Sequence, residues 1–237
     1  MTLHFAFLVL EEHPYGRDML QALLENGFTP SVVIQEVSNV GDVEREKFLA
    51  RMAGQPIAPR INQLITGKKI PLYSVANHND ETCAEILKAD QPDILVLGGT
   101  RIIKTNILEI PKVATLNAHP GLLPWLRGSA SVGWALYKDF AEGATVHFID
   151  PGIDTGDIIF REELPVYRTD TYESLNGRVS KLSAQLMLRA MQAHAEGNVP
   201  RIPQPKDEGE TFRVIPDDLL EIGKQRLKDG TYSHFAD

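Results

Sequence analysis

Two runs in this chain have no polar face: "LHFAFLVL" (Leu3–Leu10) and "PDILVLGG" (Pro92–Gly99). A strand wetted on one side alternates polar and apolar residues, so a strand without that alternation must be covered on both sides. The segments between them supply the cover. "GRDMLQALLENG" has apolar residues at helical spacing and closes on Gly27, "DVEREKFLARMAG" is a charged helical segment, and "NDETCAEILKAD" opens with Asn79 or Asp80 as N-cap. "PSVVIQEV" and "IPLYSV" are short strand-like runs between these helices. Strand-helix alternation of this kind predicts an α/β fold whose sheet is mainly parallel, with helices on both faces.

The second half follows the same pattern with one change. "VATLNAH" reads as a strand and "SASVGWALYKD" as a helix. "GATVHFID" and "DIIFREELPV" are joined too closely for a helix to fit between them, which predicts an antiparallel strand pair near the end of the sheet. "TDTYESLNGRVSKLSAQLMLRAMQAHAEGN" is one long amphipathic helix, opened by Thr or Asp and closed by Gly197. Residues 1–198 are therefore expected to form one domain. Residues 199–237, Pro-rich and then charged, are expected to be a short appendage with a terminal helix in "DDLLEIGKQRLKDG".

Of the 237 residues, 43% are hydrophobic, enough for one sizeable core, and the net charge is −8. An acidic chain does not attract a phosphate backbone at long range, so nucleic acid is not the expected general partner. The one cysteine, Cys83, can form no intrachain disulfide and suits a reducing compartment. The first residues lack the basic leader and small-residue cleavage site of a signal peptide, and no apolar run is long enough for a membrane span. A cytoplasmic protein without a membrane partner is expected.

Several chemistries lack their motifs. There is no G-x-G-x-x-G, no G-x-x-x-x-G-K-[ST] and no G-x-S-x-G. What stands out is "TLNAHPGLLPWLRG". Asn117 and His119, two residues apart on a strand, point the same way and leave the strand together. Ligands of parallel sheets bind beyond the carboxyl ends of the strands, where this motif falls. Asp154, in the tight loop of "HFIDPGIDTGDII", is within reach of a neighbouring His.

Asn, His and Asp together suit acyl transfer to an amine. Asn offers an N–H to a developing oxyanion, His exchanges a proton near neutral pH, and Asp fixes the tautomer of His and favours its charged form. An amine acceptor makes a side-chain nucleophile unnecessary. His119, His147 and Asp154 are also of metal-ligand type, but no H-x-H or H-x-x-x-H spacing accompanies them and no metal is expected.

"LNAHPGLLPWLRG" followed by "TVHFIDPGIDTGDII" resembles the folate-dependent formyltransferases, a family that includes glycinamide ribonucleotide transformylase, methionyl-tRNA formyltransferase and the sugar N-formyltransferases. The resemblance is strongest from Pro92 to Val166. It implies a Rossmann-like formyltransferase fold, 10-formyltetrahydrofolate as donor, and Asn117, His119 and Asp154 as catalytic residues. It also implies a pterin pocket built from two segments. One contains Leu97, Gly98, Gly99, Arg101, Ile102 and Ile103; the other contains Ile149, Asp150 and Gly152.

Departures from the family pattern narrow the acceptor. The loop after the first strand reads "LEEHPYGRD", not the Gly- and Ser-rich phosphate loop of the purine enzyme. Neither the basic loop and C-terminal β-barrel of the tRNA enzyme nor the N-terminal regulatory domain of formyltetrahydrofolate hydrolase is expected here. By elimination the expected acceptor is a small amine, of which a nucleotide-linked amino sugar is one candidate. Glu11, Glu12, Tyr15 and Arg127 are the candidate acceptor-binding residues. A hydrolase, a truncated methionyl-tRNA formyltransferase-like enzyme and a non-catalytic folate-binding module remain the alternatives. The oligomeric state is open, a homodimer included.

Overall fold

The structure, a computed structural model, describes residues 3–205 and 207–237. Seven strands form one sheet: β1 (Phe5–Leu10), β2 (Val32–Glu36), β3 (Leu72–Val75), β4 (Ile94–Leu97), β5 (Ala114–His119), and two more that we number β7 (Gly143–Phe148) and β8 (Ile158–Glu163). Their order across the sheet is β3-β2-β1-β4-β5-β7-β8. The first five strands are parallel, while β5–β7 and β7–β8 are antiparallel, as the short β7–β8 connection requires.

The two apolar runs become β1 and β4, the adjacent central strands. Both faces of β1 are buried, and its alternate residues serve different layers. Phe5, Phe7 and Val9 pack with α1 (Pro14–Glu25) and α7 (Tyr172–Glu196). Ala6 and Leu8 pack with Cys83, Ala84 and Leu87 of α4 (Glu81–Asp90) and Ile107 of α5 (Thr105–Leu108). The buried members of this second cluster include no residue of β5 or β7. On those strands the same face carries polar groups.

Helix ends follow local chemistry. Asp80, not Asn79, caps α4 by accepting from Cys83 N at 2.9 Å. Thr171 caps α7 in a reciprocal box with Ser174, and Gly197 closes that helix at φ +69°. No helix among the described residues is long and apolar enough to cross a membrane.

Beyond α7 the chain returns to the sheet. Ile202 exchanges backbone hydrogen bonds with Ile158 at 2.8 and 2.9 Å. A second, two-stranded sheet then joins β6 (Leu126–Gly128) to β9 (Glu210–Phe212). The terminal helix α8 (Asp217–Asp229) follows; its Leu220 and Leu227 pack in one cluster with Val132 and Leu136 of α6 (Ser131–Lys138).

Candidate active site

Register places the site. Leu97 of β4 pairs with Asn117 of β5, and Asn117 pairs with His147 of β7, so one row runs across the carboxyl rim. His119 stands one pleat further along and pairs with Thr145. The Thr145 hydroxyl donates to Gly121 O at 2.8 Å and accepts from Leu123 N at 3.1 Å. It folds the chain after His119 back over β5 and β7. Leu126 O is thereby brought to 2.6 Å from His119 Nε2, and Ser131 Oγ to 3.2 Å.

The carboxylate comes from the β7–β8 loop. Asp150 Oδ1 accepts from Gly152 N at 3.1 Å and Thr155 Oγ1 at 2.6 Å, which makes the turn. Asp154 then takes φ +53°, a left-handed conformation that Asp tolerates better than most residues. Its Oδ2 lies 3.4 Å from His119 Nδ1 and accepts from Gly128 N at 2.8 Å. Its Oδ1 lies 3.5 Å from His147 Nε2. The structure thus brings Asn117, His119 and Asp154 together, with His147 as a fourth member.

A carbonyl or a carboxylate only accepts, so a ring nitrogen bonded to one must donate. His147 Nδ1 donates to Phe148 O at 2.8 Å, and its Nε2 lies 3.3 Å from Asn117 Nδ2 and 3.5 Å from Asp154 Oδ1. The contact with His147 orients the Asn117 amide. His119 presents Nε2 to Leu126 O and Nδ1 to Asp154, both acceptors, so these two neighbours favour its protonated form.

The electrostatics add a cause that the sequence does not show. The sequence reading has Asp154 favouring a charged His119. Burial, which lowers the His119 pKa, outweighs the opposing pull of Asp154 and Leu126 O, so His119 lies below its ordinary value. For Asp154 burial alone would raise the pKa. His119, His147 and the Gly128 N–H together win, and the carboxyl is held well below its usual range.

The two segments expected to form a pterin pocket carry Leu97, in register with Asn117, and Ile149, which follows β7. Leu97 and Ile103 are buried, whereas Ile102 is 75% exposed and offers an apolar surface. Asn79 holds that loop, donating to Ile102 O at 3.0 Å and accepting from Lys104 N at 2.7 Å. Arg101 is engaged by the fully buried Glu36, with Nη2 2.7 Å from Oε1 and Nε 3.1 Å from Oε2. Its guanidinium therefore fastens the loop to β2. The two glycines are required by packing of the chain on itself. A Cβ at Gly98 would enter the Phe7 ring, and Gly99, at φ +79°, faces the His13 ring. In the other segment, Ile149 N bonds Thr115 O at 2.9 Å, and Asp150 and Gly152 make the turn described above.

The acceptor candidates are dispersed. Glu12 accepts weakly from Ile61 N and lies 3.7 Å from Arg17 Nε; Glu11 lies 3.6 Å from Arg45 Nη1. Tyr15 is buried and its hydroxyl bonds Ala118 O, between the two catalytic candidates of β5. Arg127 is 8% exposed and bonds Gln204 Oε1 through Nη2 at 3.0 Å. Sequence reasoning gave no role to His13. It lies buried against Phe48, its pKa pushed down to about 3 by burial and then by Arg51 and Arg45. An open groove of about 630 Å³ between α4 and α5, lined by Lys88, Gln91, Asn106, Glu109, Ile110 and Lys112, contains none of the candidate site residues. Among the described residues no group of three or more His, Cys, Asp or Glu side chains is arranged to hold a metal ion.

A profile described as Formyl transferase matches residues 3–191, and the chain belongs to that family. The methionyl-tRNA formyltransferase of Syntrophus aciditrophicus is 32% identical over 187 residues, covering 78% of this chain and 57% of that protein. That of Methylacidiphilum infernorum is 34% identical over 194 residues, covering 80% and 58%. The chain thus spans little more than half the length of these relatives. Among solved structures, a sugar N-formyltransferase from Shewanella sp FDAARGOS_354 superposes with a TM-score of 0.66 at 17% identity, covering 94% of this chain and 87% of that one. Phosphoribosylglycinamide formyltransferase from Streptococcus pneumoniae TIGR4 gives 0.62 at 21% identity, covering 81% and 99%. These two share the Rossmann-like fold.

Proposed function

We propose that this chain transfers the formyl group of 10-formyltetrahydrofolate to the nitrogen of a small amine. The amine nitrogen attacks the formyl carbon, the carbonyl oxygen becomes an oxyanion, and the tetrahedral centre collapses by breaking its bond to N10. The amine loses a proton and N10 gains one, giving the formamide and tetrahydrofolate. Asn117 Nδ2 supplies the oxyanion donor. His119 takes up the amine proton, and its imidazolium is paired by the Asp154 carboxylate and by Leu126 O. The observation that carries the reading is the convergence of Asn117, His119 and Asp154 on one rim within a formyl transferase family member.

The pterin of the donor would lie against the backbone of residues 97–103 and 149–152, where the exposed Ile102 side chain suits an aromatic ring face. The acceptor is proposed to be a small amine, such as a nucleotide-linked amino sugar, selected by the loop carrying Glu11 and Glu12. A second reading, methionyl-tRNA as acceptor, is favoured by the names of the sequence relatives. The net charge of −8 weighs against it. Incubating the protein with 10-formyltetrahydrofolate and a panel of amino-sugar nucleotides, amino acids and methionyl-tRNA separates these readings. The small-amine reading expects tetrahydrofolate release with an amino-sugar nucleotide or amino acid and not with methionyl-tRNA.

A further inference from the structure

The tail that follows α7 reaches the catalytic carboxylate through one side chain. Gln204 Nε2 donates to Asp154 O at 2.9 Å and to Gly156 O at 2.7 Å. Its Oε1 accepts from Arg127 Nη2 at 3.0 Å and Arg127 Nε at 3.3 Å. Arg127 precedes Gly128, whose N–H donates to Asp154 Oδ2. The contacts therefore close a ring, from the Asp154 carboxylate through Gly128, Arg127 and Gln204 back to the Asp154 carbonyl. We propose that Gln204 is a positioning residue of the catalytic centre, stapling the Asp154 loop so that its carboxylate is aimed at His119. This rests on the assignment of His119 and Asp154 as the catalytic pair.

Three observations converge on that role. Asp154 sits at φ +53°, where a residue with a Cβ stays only if its surroundings hold it. The two carbonyls that Gln204 binds bracket Thr155, so a single NH₂ group fixes both ends of the turn. The position demands two donors on one side and an acceptor on the other, in one planar group, which a primary amide supplies and a carboxylate does not. The segment is also fixed from both sides. Pro203 and Pro205 restrict the backbone around Gln204, Ile202 pairs with Ile158, and Glu210–Phe212 pairs with β6.

The test compares wild type, Gln204→Ala and Gln204→Glu as full chains by NMR titration of the histidine rings, with thermal melting and formyl transfer measured in parallel. The titration requires no acceptor, so it decides this proposal even if every amine in the panel fails. With the staple lost, the Asp154 carboxylate retreats and its support for the His119 cation weakens. The His119 titration should move down by about half a pH unit or more. Where transfer is measurable, kcat should fall about 10–100-fold, the usual effect of removing an outer partner of a site, with little change in the donor KM. Gln204→Glu keeps the shape and the contact with Arg127 but turns an acceptor towards the Asp154 and Gly156 carbonyls, so it should lower kcat and move the His119 titration, giving a second measurement should the Ala variant not fold. An unchanged His119 titration in a folded variant would overturn the proposal, even if the melting temperature falls.

Discussion

His119 Nδ1 and Asp154 Oδ2 stand 3.4 Å apart, one from the end of a parallel strand and the other from an antiparallel loop whose backbone is left-handed. A carboxylate at that distance lets a buried imidazole take up a proton without leaving a bare charge. Asp154→Asn tests it without threatening the turn, because Asn adopts the left-handed region as readily as Asp. Loss of general acid–base assistance of this kind lowers turnover by about 10²–10⁴-fold. The variant should fall in that range with donor affinity retained, and the pH profile of kcat/KM should shift because the group that raises the His119 pKa is gone. Wild-type turnover with an unshifted profile would make Asp154 a loop residue only.

Asn117→Ala should lower kcat by about 10²–10³-fold, the usual cost of one oxyanion donor. Because Asn117 also touches His147 at 3.3 Å, the measurement needs a fold control such as far-UV circular dichroism. A folded variant within a few-fold of wild type would rule out the oxyanion role.

Much of this site was legible in the sequence, and for identifiable reasons. Asn117 and His119 declare themselves because strand periodicity fixes their common direction, and the runs at Leu3–Leu10 and Pro92–Gly99 declare β1 and β4 because only doubly covered strands lack a polar face. His147 was visible as a residue, but its place opposite Asn117 depends on antiparallel register, which no local pattern encodes. The β6–β9 pairing was missed because "LRG" and "ETF" are too short to show alternation. Gln204 sits in a Pro-rich stretch that carries no periodic signal at all. The burial that opposes the pull of Asp154 on His119 has no local signal either, because burial is a tertiary property.

Glu142 gives a stability prediction remote from the chemistry. It is 2% exposed, its Oε1 has no partner, and burial raises its pKa well above the ordinary carboxyl value. A raised folded-state pKa means that stability is fully present below the unfolded pKa of roughly 4.3 and is lost as pH rises towards the folded value. Glu142→Gln removes the titration. Its melting temperature should exceed wild type by more at pH 8 than at pH 5, each kcal/mol appearing as roughly 2–4 °C. A difference independent of pH between 5 and 8 would show that the Glu142 pKa is not raised in the folded chain.

The acceptor loop makes a further prediction. Glu11 is the less constrained acid, 35% exposed and 3.6 Å from Arg45, whereas Glu12 is tied to Ile61 N and Arg17. Glu11→Gln should therefore raise the acceptor KM more than Glu12→Gln does, and neither should move the donor KM. Equal effects on both substrates would remove the loop from acceptor selection.

The most direct test of the whole account is product analysis after incubation with 10-formyltetrahydrofolate, with and without an amine, in the presence of a chelator. The account predicts tetrahydrofolate and the N-formylated amine in equal amounts, formed only when the amine is present and undiminished by chelation. Formate release at the same rate without any amine would contradict it, and so would loss of transfer on removal of a metal.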